Sequence, residues 1–108
     1  MDLRELQRRV HETAVAHGWW DKPRSFGDII ALAHSELSEA YEEHRQGHRP
    51  TETWYVGEKP TGIPSELADA VIRILDYCED EGIDLSAAIV EKDAYNRQRP
   101  YRHGDKVT

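Results

Sequence analysis

Apolar residues recur at helical spacing along most of the chain, and glycine and proline cut that pattern into four segments. In the first, Leu3, Leu6, Val10, Ala14 and His17 share a face from Asp2 to about His17, and Gly18 stops it. The turn "WWDKPR" carries two tryptophans that read as exposed. Ser25 then offers an N-cap to a long second helix that reaches about Gln46, before Gly47. The next stretch, "HRPTETWYVGEKPTG", has two prolines, two glycines and no sustained period, so it reads as a long connection with at most a few β-like residues around "TWYV". Pro64 suits the first turn of a third helix ending near Glu81 with Gly82 behind it. Asp84 caps a fourth that runs to about Gln98, before Pro100 and the polar tail "YRHGDKVT". The expected fold is all-α, four helices in a single domain over residues 1–108.

The third helix has an unusual circumference. Projected at about 100° per residue, Leu67, Ala68, Ala70, Val71, Ile72, Ile74, Leu75 and Cys78 cover most of it. A narrow polar stripe of Glu66, Asp69, Arg73 and Asp76 remains. A helix so apolar is expected to be buried on most sides, by more surface than its own short neighbours supply.

Within this pattern an acidic hexapeptide occurs twice, "SELSEA" at residues 35–40 and "SELADA" at residues 65–70. Residues three apart share a helix face, so Glu36 pairs with Glu39 and Glu66 with Asp69. Either pair alone is ordinary solvent-facing helix sequence. Here, however, Glu36 falls between Ile29 and Leu32, and Glu66 and Asp69 lie in the stripe of a mostly apolar helix. Two such stripes face to face converge four carboxylates. At an effective dielectric of about 20, two unit charges about 4 Å apart repel by roughly 4 kcal/mol, so the cluster demands a counter-charge. An all-oxygen set fits a hard divalent cation, Mg²⁺, with Mn²⁺ as a possible substitute. A di-iron site would use Glu-x-x-His, and none of the six histidines follows an acid at that spacing.

The fourth helix offers the opposite charge. Leu85, Ile89, Lys92, Asn96 and Arg99 are spaced by four and three, so a stripe that begins apolar continues as cation, amide, cation. Cations facing a carboxylate-held metal make a site for a polyphosphate. The overall balance, 14 Lys and Arg against 21 Asp and Glu for a net charge of −7, argues against nucleic acid or an anionic membrane as partner. The lone Cys78 excludes an internal disulfide. The charged start "MDLRELQRRV" contains no signal-peptide core, and a cytoplasmic location is expected.

"HSELSEA", "GIPSELADAVIRILDYC" and "EKDAYNRQRPYRHG" together resemble the short, single-domain MazG-like nucleoside triphosphate pyrophosphohydrolases of the all-α type. The resemblance runs from about Gly18 to Gly104 and rests on E-x-x-E, E-x-x-D and K-x-x-x-N in that order. It implies metal ligands at Glu36, Glu39, Glu66 and Asp69, phosphate-binding groups at Lys92, Asn96 and Arg99, and a helical bundle completed by dimerisation, as a homodimer or dimer of dimers. It further implies Mg²⁺-dependent hydrolysis of a nucleoside triphosphate to the monophosphate and pyrophosphate. Where many relatives carry a second glutamate before the first ligand, this chain has Ser35, which is no strong base. That leaves Glu39 as the candidate base, or a cation-activated water with no dedicated base. Trp20, with Trp19 beside it, is a candidate stacking surface for the base, and the resemblance adds His11 to the same pocket. Trp54 and Tyr55 would close over a substrate or pack at a subunit contact. Two other readings compete: a weakly catalytic helical nucleotide-sensing module, and a hydrolase of another pyrophosphate-containing metabolite.

Overall fold

The computed structural model describes residues 1–101; residues 102–108, with the end of the third motif, lie outside the described residues. Four helices, α1 (Leu3–Ala16), α2 (Phe26–Arg45), α3 (Ile63–Glu81) and α4 (Leu85–Arg97), are joined by short turns and one hairpin, β1 (Trp54–Val56) and β2 (Lys59–Thr61). Caps set the helix starts. The side chains of Asp2, Ser25 and Asp84 accept from the backbone N–H groups of Glu5, Asp28 and Ala87, each three residues on. Gly82 ends α3 in the left-handed conformation at φ 73°, a geometry that a side chain would oppose.

Where the sequence reads as a connection, the chain forms a hairpin. Trp54 pairs with Thr61, Tyr55 with Pro60 and Val56 with Lys59. Gly57, at φ 64°, opens its two-residue turn, as the turns that suit twisted strands require. Pro60 reads as a breaker, yet a strand with a free edge tolerates it. Below the hairpin, Gly62 sits at φ 127°, and a Cβ there would lie 2.5 Å from the carbonyl oxygen of Glu52. Only glycine allows the hairpin to run directly into α3.

Helix α3 is the hub, packed against α1 and against α2, with β2 touching its start. The core is small: Ile29, Ala33, Ala40, Ala70, Leu75 and Cys78 are the buried apolar residues. Helix α4 packs against α1 alone among the substantial contacts, tethered where Arg4 pairs with Asp84, and buries no residue. Among the described residues, no helix is long and apolar enough to cross a membrane.

Two expectations change. On α1 the core-facing residue is Gln7, 3% exposed, whereas Leu6 is 38% exposed. Gln7 holds that place because its Nε2 donates to Glu79 Oε1 at 3.1 Å and to the Ile83 carbonyl at 2.8 Å, joining α1 to the end of α3. On α3 the polar stripe faces inward, and much of the apolar surface faces out. Asp76 is 3% exposed, while Leu67, Val71, Ile72 and Ile74 lie between 41 and 48%.

Candidate metal centre and adjoining pocket

The two hexapeptides meet where α2 crosses α3. Carboxylate oxygens of Glu36, Glu39 and Glu66 all lie within 4.8 Å of one another. Glu36 and Glu66 are half-buried and Glu39 is exposed. Burial, then proton sharing with Glu39 and repulsion from Glu39 and Asp69, lifts the Glu66 carboxyl from 4.5 to about 7. Burial likewise raises Glu36, joined by Glu39 and Asp69 and opposed by Arg73. Arg73 Nη2 is 3.4 Å from Glu36 Oε1, a single cation against several acids. Asp69 stands outside the trio of converging oxygens, close enough for its charge to act on Glu36 and Glu66. A donor set of carboxylate oxygens such as this could hold a hard divalent cation.

A second group of residues lies beside the trio. Asp76 Oδ1 is 2.7 Å from His11 Nδ1 and accepts from Trp20 Nε1 at 2.9 Å. One buried carboxylate thus fixes both rings, whose centroids are 6.0 Å apart. Trp19 is gripped between two guanidinium groups, Arg24 at 3.6 Å and Arg73 at 4.1 Å from its ring centroid, and Arg24 Nε also donates to the Trp19 carbonyl at 3.0 Å. Both tryptophans, read as exposed from sequence, are therefore half-buried. A cavity of about 210 Å³ between α1 and α3 is lined by Val10, Ala14, Trp19, Ile72, Arg73 and Asp76 among others.

Sequence reasoning placed His11 and Trp20 here but missed the group that joins them. The signal was available: Arg73 and Asp76 belong to the narrow polar stripe of α3, about one and two turns beyond Asp69. At the hairpin root, the His48 ring lies tilted against Trp54, centroids 4.2 Å apart, and sits between Glu43 and Glu52, 3.6 and 3.5 Å away. Trp54 is thereby packed locally, while Tyr55 is 67% exposed.

Lys92 and Arg99 do share a face. They flank Tyr95 at 5.5 and 5.7 Å and, with Glu91 and Ala88, line a surface groove of about 480 Å³. Lys92 and Asn96 are exposed, and packing α4 on α1 does not bring this stripe against the acidic trio within one chain.

A scan of protein-family models matched no family, and searches of curated proteins and of solved structures returned no match.

Proposed function

We propose that this protein is an Mg²⁺-dependent pyrophosphohydrolase of nucleoside or deoxynucleoside triphosphates, releasing pyrophosphate and leaving the monophosphate. In the cell it would cleanse or adjust a nucleotide pool. The observation that carries the reading is the convergence of Glu36, Glu39 and Glu66, with Glu36 and Glu66 raised in proton affinity by burial and then by the neighbouring acids. Bound there, Mg²⁺ would neutralise the phosphates and polarise the bond that breaks. Glu36, Glu39 and Glu66 would hold it, with Asp69 adding charge at the edge. Glu39, the exposed member, can reach a water and orient it toward phosphorus, accepting its proton. His11 and Trp20 would hold the base, both fixed by Asp76.

Lys92, Asn96 and Arg99 are assigned to the phosphates through assembly. A homodimer, alone or paired into a tetramer, would cover the exposed stripe of α3 and seat α4. The exposed basic stripe favours a second reading, a module that binds nucleotides without turning them over. Incubation of the protein with a nucleotide panel and Mg²⁺, scored for pyrophosphate, separates the two. Pyrophosphate from at least one triphosphate is expected. Mg²⁺-dependent nucleotide binding with no pyrophosphate from any of them would overturn the hydrolase reading in favour of the module.

A further inference from the structure

The wall of the cavity between α1 and α3 has donors to spare. Trp19 Nε1 is buried and meets no acceptor among the described residues. Most other polar groups on that wall are engaged. Thr13 Oγ1 donates to the Arg9 carbonyl at 3.1 Å, His17 Nδ1 lies 2.9 Å from the Thr13 carbonyl, and Asp76 holds His11 and Trp20. Arg73 is the exception. Its one hydrogen bond among the described residues is to Glu36 Oε1 at 3.4 Å, longer than the roughly 2.7–2.9 Å of a tight guanidinium–carboxylate contact. A guanidinium placed only to neutralise Glu36 would close on it with two bonds. Instead, Arg73 lies over the Trp19 ring, 4.1 Å from its centroid, and Arg24 clamps the same indole through its ring and its carbonyl. Stacking engages the flat face of a guanidinium and leaves its in-plane N–H groups available. With 26% of its side chain exposed, Arg73 can be reached. It lines the cavity beside Asp76 and touches Glu36 of the acidic trio, so a ligand running from one to the other passes its donor edge.

From this placement we infer that Arg73 is a phosphate-binding residue, held on Trp19 as a platform and supplied by the same chain as the acidic trio. The inference rests on the nucleotide reading above and adds a contact within one chain, since Lys92, Asn96 and Arg99 reach the phosphates only through assembly. A phosphate presents anionic oxygens at the spacing of the guanidinium fork and can take N–H groups that Glu36 leaves unused. Trp19 then serves the site without touching the base, because its ring carries the two guanidinium groups. Stacking on the base falls to Trp20.

Calorimetric binding of inorganic tripolyphosphate, with Mg²⁺ present, tests this without knowledge of the base. The parent should bind it. Arg73→Met keeps an unbranched side chain over Trp19 but removes every donor, and should weaken binding by about tenfold or more. Arg73→Lys keeps the charge and loses the fork, so it should recover only part of that loss. Titration with Mn²⁺ alone provides the contrast: Arg73→Met should bind the ion at least as tightly as the parent, which also shows that the variant is folded. A parent that binds no tripolyphosphate overturns the inference whether or not any variant folds, and so does parental affinity in Arg73→Met. Pyrophosphate release from nucleotides with undiminished tripolyphosphate binding in Arg73→Met would leave the hydrolase reading and remove Arg73 from it. Weakened binding in Arg73→Met with no pyrophosphate from any nucleotide would do the reverse.

Discussion

Glu66 places a charge problem inside the fold. Its carboxyl is raised from 4.5 to about 7, first by burial and then by Glu39 and Asp69. Between those values the folded, metal-free protein holds a proton that the unfolded chain has released, so its stability must fall as pH rises across the window. In chelator, the melting temperature should decline from about pH 4.5 to about pH 7. Saturating Mg²⁺ should cancel most of that decline, because the cation binds the deprotonated acids. A flat profile in chelator, with no response to Mg²⁺, would count against the trio as a metal centre. Asp69 contributes through its charge on Glu36 and Glu66. Asp69→Asn should therefore leave metal-free stability at pH 8 equal or higher, while reducing the Mg²⁺-induced shift and lowering activity by about 100-fold. Full activity in that variant would sink the metal-site reading.

The elements around the trio differ in how firmly they are held. Gly62 joins the hairpin to α3, and its carbonyl receives the Glu66 N–H at 3.0 Å. An alanine there meets both an unfavourable φ of 127° and a backbone oxygen 2.5 Å from its Cβ. Gly62→Ala should cost about 2–3 kcal/mol in urea unfolding, and it should shrink the Mg²⁺ response by shifting the turn that carries Glu66. Unchanged stability would mean that the hairpin is not packed as described. Helix α4 is the opposite case, because it buries nothing. Lys92→Ala should leave the melting temperature unaltered while lowering kcat/KM by about 2 kcal/mol of charge-assisted contact. Unchanged kcat/KM would remove Lys92 from the phosphate site.

As a whole the molecule is open for its size. Its radius of gyration is 16.4 Å, against about 13 Å for a compact domain of this length. Leu67, Val71 and Ile74 form an exposed apolar stripe on α3, and Ile89 and Val90 of α4 are exposed as well. A second copy would cover such surface by symmetry. Light scattering at micromolar concentration should give at least twice the 12.5 kDa of the chain. Val71→Asp should shift the population toward monomer. A stable, folded monomer of the parent would overturn the assembly and, with it, the assigned route of Lys92 to the phosphates.

Local chemistry determined what could be read directly. Helix boundaries follow from Asp2, Ser25, Asp84 and Gly82 because a cap acts within one turn, and the pairing of Glu36 with Glu39 follows from helical period alone. The approach of Glu66 to both was legible because two like stripes on mostly apolar helices have few ways to pack. Other features waited on tertiary structure. The hairpin was hidden because Gly57 and Pro60 read as breakers until the two short strands are set side by side. Gln7 displaced Leu6 from the interior because its partners, Glu79 and Ile83, lie more than seventy residues away. The joining of His11 to Trp20 through Asp76 likewise spans 56 and 65 residues. Only packing α1 on α3 could decide it, since the contacts a buried carboxylate requires depend on neighbours in space and leave no period along the chain.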